Sequence, residues 1–158
     1  MQKGSLYAHI EGKQELLYET MRDGAAAFHA SLDAIPERIP ATEKIRLALH
    51  GHLALVADQL DVATVFVREW RYLEGERREE FLAERRRYEE RIRALFREGV
   101  EQSELRTDLD VSVAALVFLS AANWAYTWLQ PGRDTDELAD RFFELLVNGM
   151  RGYATPAA

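Results

Sequence analysis

The feature that most limits the fold is a run of apolar residues at three- and four-residue steps. Leu16, Leu17, Met21, Ala25, Phe28, Leu32 and Ile35 fall on one stripe, which is the spacing of one face of a helix. Similar stripes follow. Pro36 and Pro40 bracket a turn, and a second helix is predicted from about Ala41 to Leu60, with Ile45, Leu49, Leu53 and Val56 on one side. Asp61 opens a shorter apolar helix, which Gly75 interrupts. A long helix is predicted from about Glu76 to Ser103, with Phe81, Tyr88, Ile92, Leu95, Phe96 and Val100 as its buried stripe. Asp110 is a good N-cap for the apolar helix "VSVAALVFLSAANWAYTWL", which Pro131 and Gly132 end. That helix is apolar almost all round, so it is expected to be buried on more than one side. Asp134 and Glu137 have the spacing of a capping box for the last helix. No strand alternation and no internal repeat stand out. The reading is an all-α helical bundle.

A chain of 158 residues can bury a real core as one domain. Its 47% hydrophobic and 30% charged residues are those of a globular protein. The absence of cysteine excludes disulfides, thiolate metal sites and cysteine nucleophiles. A formal charge of −7 argues against a generally basic nucleic-acid coat and leaves room for a local basic face. The first twenty residues hold no signal-like apolar segment. The most apolar stretch, Val113 to Leu129, is broken by Ser120, Asn123 and Thr127 and falls short of the roughly 18 residues of a spanning helix. A soluble, cytoplasmic protein without membrane association is expected. Residues 76 to 98 hold eight Arg and seven Glu, interleaved, with Glu89 and Arg93 four apart; this describes a solvated helix face.

Little in the chain points to catalysis. None of the four histidines, His9, His29, His50 and His52, has a Glu three residues before it, and there is no H-E-x-x-H. His50 and His52 are two apart and point to opposite sides of a helix, so they cannot chelate one metal from it. They read as polar-face or core-edge histidines. There is no G-x-S-x-G and no phosphate-binding glycine loop. No metal, cofactor or enzymatic activity is expected.

Aromatic and polar residues gather in two places, around "FVREWRY" and around "FLSAANWAYTW". Phe66, Trp70, Arg71, Tyr88, Phe118, Asn123, Trp124 and Trp128 are the candidate pocket, because apolar walls with a few polar groups suit an organic ligand. Plain core and interface packing also accounts for these residues. The last two helices carry more apolar surface than one side of a core needs, and small residues such as Ala114, Ala121 and Gly149 allow close approach. Ala115, Ala122, Tyr126, Phe143, Val147 and Met150 are the candidate dimer interface, half of a four-helix contact about a twofold axis. The alternative is that another helix of the same chain covers both faces.

One segment is more specific. In "KGSLYAHIEGKQELL", Gly4, Ser5, Leu6, Tyr7, His9, Lys13, Glu15, Leu16 and Leu17 match a pattern of helix end, short turn and next helix start. The segment resembles the end of the DNA-binding domain in the TetR family of one-component transcriptional regulators. Ile10 replaces the family's common Phe and Gly12 its common Ser or Asn. The helix order of the rest resembles the family too. The resemblance implies a helix-turn-helix remnant at 1–15, an effector-binding and dimerisation domain at 16–154 and a tail at 155–158. It implies a homodimer on operator DNA, with Lys3, Ser5, Tyr7, His9 and Lys13 facing bases or backbone in the intact protein. "VREWRYL", the charged helix with Tyr88, and "SAANWAYTWLQPG" resemble the subset controlling fatty-acid and steroid breakdown. That implies a hydrophobic small-molecule effector such as an acyl-CoA, and a repressor.

The family carries two further helices ahead of this segment. Gly4, which costs roughly 1 kcal/mol in a helix against Ala, and the offset of Lys3 and Lys13 by Glu11 and Glu15 leave little grip on DNA. This chain alone is therefore expected not to bind an operator specifically. Either Met1 stands where a longer protein has an internal residue, or the chain is a ligand-sensing remnant. The rival readings are a small-molecule-binding dimer without DNA activity and a small helical enzyme.

Overall fold

A single 31-residue helix, α1 (Lys3–Asp33), runs through the stretch expected to hold a helix end, a turn and a new helix. The expected turn before Lys13 is absent. Gly12 sits inside the helix with open space about it, and no proline interrupts the backbone ladder, so the strong stripe from Leu17 onward carries the helix through. The computed structural model describes residues 3–150, with side chains from residue 11 onward. The side chains of Lys3, Ser5, Tyr7 and His9, and the tail from residue 151, lie outside the described residues.

Five more helices follow among the described residues: α2 (Ala41–Asp58), α3 (Leu60–Arg68), α4 (Gly75–Glu101), α5 (Val111–Trp124) and α6 (Asp136–Asn148). A 3₁₀ turn at Glu69–Tyr72 ends α3, and another at Ala125–Thr127 ends α5. No strand occurs among the described residues. The helix α2 lies at the centre, packed by α1, α3, α4, α5 and α6. Its stripe of Ile45, Leu49, Leu53 and Val56 meets Tyr88, Ile92 and Phe96 of α4 and Ala115, Phe118 and Ala122 of α5 in the main core. A smaller core of Met21, Leu73 and Phe81 ties α1 to α4, with Val65, Phe66 and Trp70 against it.

Helix ends are held in ways of unequal visibility. Asp110 caps α5, its carboxylate accepting from the backbone N–H groups of Ser112 and Val113 at 3.0 and 3.1 Å. Among the described residues Asp134 accepts only from Asp136 N, at 2.9 Å, and α6 starts at Asp136, so the capping box is not formed. The start of α2 is capped from a distance. Glu104 accepts from Ala41 N at 3.0 Å and from Thr42 N and the Thr42 hydroxyl at 2.7 Å each. Burial opposes its charge, but those hydrogen bonds and nearby Lys44 outweigh burial and hold its pKa below the usual carboxylate range. Glu104 reaches this position because the chain turns tightly at Ser103, whose φ is +60°, and folds back over Gly99.

The helix α5 is buried on one side only. Ala114, Ala115, Phe118 and Ala122 face the core, while Val113, Leu116, Val117 and Trp124 are exposed. On α6, Leu145 is 77% exposed. Among the described residues no helix is long and apolar enough to cross a membrane.

Candidate functional site: a cavity among five helices

The apolar stripes leave an unfilled space where α1, α2, α3, α4 and α5 converge. The cavity has a volume of about 140 Å³ and is lined by Phe28 and His29 (α1), His52 (α2), Phe66 (α3), Tyr88 (α4) and Asn123 (α5), among others. Its walls form an aromatic box. The Phe28 ring centroid lies 4.7 Å from that of His52, 5.7 Å from Tyr88 and 5.8 Å from Phe66. Phe118 stands behind His52, edge-on at 6.4 Å.

The polar groups are few. His52 Nδ1 lies 3.1 Å from the Tyr88 hydroxyl, and both residues are buried. Burial pushes the His52 pKa down to about 4, with Asn123 acting the other way, so the ring is neutral at pH 7. Its Nε2 has no hydrogen-bond partner at ordinary geometry, and Asn123 is the polar side chain that acts on the ring. Burial pushes the Tyr88 pKa up, so the phenol keeps its proton.

The mouth is charged. His29 Nδ1 faces an Arg91 guanidinium nitrogen at 3.2 Å, and its Nε2 lies 3.4 Å from a Glu84 oxygen. Burial, then Arg91 and Arg87, lower the His29 pKa. Arg85 lines the mouth and lies 5.3 Å above the Trp70 ring; Arg78 and Arg71 lie 5.6 and 6.0 Å from the same centroid. None of these three arginines forms an ion pair among the described residues.

The structure brings Phe66, Tyr88 and Asn123 together on the cavity and sets Phe118 just behind them. Trp70 belongs to the smaller core, reaching the cavity only through Arg85, and Arg71 is exposed beside it. Trp124 and Trp128 point away, against Tyr126 and Phe142. Of the residues considered for a dimer interface, Ala115, Ala122, Val147 and Met150 are covered by the chain's own core, and Tyr126 and Phe143 are half-buried. Small side chains on the inner stripe pack inward, and the larger Leu116, Val117 and Trp124 remain outside. Lys13 is exposed. Sequence reasoning missed Phe28 and His52 as cavity residues. The signal was present: His52 falls on the apolar stripe of α2, between Leu49 and Val56.

Fold and cavity together define an all-α ligand-binding domain of the transcription-regulator type. A model of the tetracyclin repressor-like C-terminal domain matches residues 38–150. The chain belongs to the TetR family of transcriptional regulators, which are not enzymes. The fatty acid metabolism regulator protein of Bacillus subtilis (strain 168) is 25% identical over 151 residues, covering 93% of this chain and 78% of the relative. The TetR family regulator PfmR of Thermus thermophilus superposes with a TM-score of 0.81 at 28% identity, over 96% of this chain and 84% of its own. AibR, solved in complex with isovaleryl coenzyme A and operator DNA, superposes with a TM-score of 0.74 at 28% identity, over 93% and 81%.

Proposed function

We propose that this protein is a ligand-responsive repressor of the TetR type whose effector is a short-chain acyl-CoA, with the acyl group held in the cavity among α1–α5. The observation that carries this reading is the cavity itself: lining from five helices, aromatic on four of them, and a small polar set of buried His52 and Tyr88 with half-buried Asn123. A ligand touching five helices can shift their relative positions, which is what an effector must do by binding two states unequally. At about 140 Å³ the cavity is near the size of an engineered one, about 150 Å³, that holds benzene, which suits a short acyl group. Arg85, Arg78 and Arg71 stand without carboxylate partners among the described residues, where the phosphates of coenzyme A can pair with them. The AibR complex is consistent with this choice of ligand.

In the same reading residues 1–15 border the DNA-reading part and 16–154 sense the effector and dimerise. The homodimer uses the exposed outer faces of α5 and α6. Residues 1–158 by themselves carry effector binding rather than operator selection: Lys13 is flanked by Glu11 and Glu15, and Glu15 is paired with Arg77. Isothermal titration with isovaleryl-CoA, free coenzyme A and palmitoyl-CoA tests the reading. The short acyl-CoA is expected to bind most tightly. Equal binding of free coenzyme A, or tightest binding of palmitoyl-CoA, contradicts it.

A further inference from the structure

The pairing of His52 with Tyr88 decides what the cavity can recognise. The Tyr88 hydroxyl has one hydrogen-bond partner among the described residues, His52 Nδ1 at 3.1 Å. A neutral imidazole carries its proton on one nitrogen only. With the proton on Nδ1, the ring would donate to the phenol oxygen, the phenol proton would have no acceptor, and Nε2 would be a bare acceptor. That leaves two buried groups unsatisfied. With the phenol donating to Nδ1, the proton sits on Nε2 and only that N–H is unsatisfied. Each buried unpaired polar group costs about 1–3 kcal/mol, so the second arrangement is preferred. His52 lines the cavity, and its Nε2 is buried and without a hydrogen-bond partner among the described residues; Asn123, the side chain that acts on the ring, lines the cavity too.

We propose that His52, locked by Tyr88 as the Nε2–H tautomer, is the cavity's specificity residue and selects ligands that place a neutral carbonyl oxygen against that N–H. This deepens the effector reading above and rests on it. A thioester, ester, amide or ketone carbonyl satisfies the orphan donor without bringing in charge. A hydrocarbon of the same shape leaves the donor unpaired. A carboxylate accepts from the N–H too, but loses its hydration in an aromatic box with no buried cation beside His52. Arg85, Glu84 and Glu89 are the charged residues lining the cavity, and the one cation among them is exposed. The cavity therefore discriminates the activated acyl form from the free acid through one neutral donor.

Long-range ¹H–¹⁵N correlation of the histidine rings reads the tautomer directly in the unliganded chain. The Nε2–H form is expected for His52; the Nδ1–H form or a charged ring at pH 7 overturns the proposal. Three probes with one skeleton then test selection: 3-methylbutan-2-one, isobutyrate and 2,3-dimethylbutane. The ketone is expected to move the His52 Hε2 resonance downfield and to bind at least about tenfold more tightly than isobutyrate. The alkane is expected to shift the lining Leu82 and Leu119 methyls without moving Hε2. Isobutyrate binding as tightly as the ketone overturns the selection. Ketone binding that shifts the lining methyls but leaves Hε2 unmoved also overturns it, while leaving the cavity reading intact. Lining methyls that respond to none of the probes overturn the cavity reading and this one together. Tyr88→Phe removes the lock, and its His52 ring is expected to show mixed tautomers and a smaller ketone preference. If that variant does not fold, the wild-type tautomer still decides.

Discussion

The Tyr88 hydroxyl and His52 Nδ1 meet 3.1 Å apart, joining α4 to α2 inside the core. Both residues are buried, and the burial of His52 makes stability depend on pH. Burial lowers the folded pKa of His52 to about 4, against about 6.5 unfolded. Between those values the unfolded chain binds more protons, so stability is full above pH 6.5 and is lost as pH falls toward 4. The expected loss between pH 7 and pH 5 is about 2 kcal/mol from His52. His29, also lowered, contributes with the same sign. Urea denaturation at the two pH values measures this. His52→Gln is expected to flatten most of the slope, and an unchanged slope in that variant contradicts the assignment.

Glu104 is expected to matter more than its place in a loop suggests. Glu104→Ala removes the cap of α2 and should cost about 1–2 kcal/mol, read as a lower denaturation midpoint. Because its folded pKa is depressed, its contribution is present above the unfolded carboxylate pKa and fades as pH falls below it. Glu104→Ala should therefore show a shallower acid limb than the wild type.

Gly99 is expected to resist enlargement. A Cβ there would lie 2.8 Å from Leu105 Cδ1 and 3.0 Å from Leu105 Cγ. Leu105 is buried and has little room to move, so Gly99→Ala should destabilise by about 1–3 kcal/mol through overpacking. A neutral or stabilising effect in thermal melts would show that the Leu105 turn yields freely.

Leu145 and Leu116 test the dimer. They are 77% and 59% exposed in the single chain and sit on the outer faces of α6 and α5. Leu145→Glu would bury a charge at the proposed interface. Sedimentation at micromolar concentration should give a dimer for the wild type and a monomer for the variant. A monomeric wild type contradicts the assembly.

The helices, their stripes and the Asp110 cap were legible because each depends on residues within a turn or two of one another. The continuity of α1 through Gly12 was not, since a glycine signals a break without saying whether the flanking helix overrides it. The cap on α2 comes from Glu104, some sixty residues onward, and no local pattern carries that pairing. Periodicity marks α5 as apolar all round but does not say which side meets the core; Ala115 and Ala122 turn inward because α2 and α4 approach closely there. Phe66, Tyr88 and Asn123 were legible as aromatic and polar residues on apolar stripes. For His52, the spacing to His50 speaks only against shared metal ligation; its place on the α2 stripe was the better clue to the cavity.

The most direct test of the central claim is where a ligand binds. Methyl-resolved NMR of this chain, titrated with isovaleryl-CoA, separates the cavity from the outer face. Saturable shifts at Ala25, Leu82 and Leu119, weakened by Asn123→Ala, are expected. Shifts confined to Val113, Leu116 and Leu145, with the cavity methyls unmoved, would contradict the claim that the space among α1–α5 is the effector site.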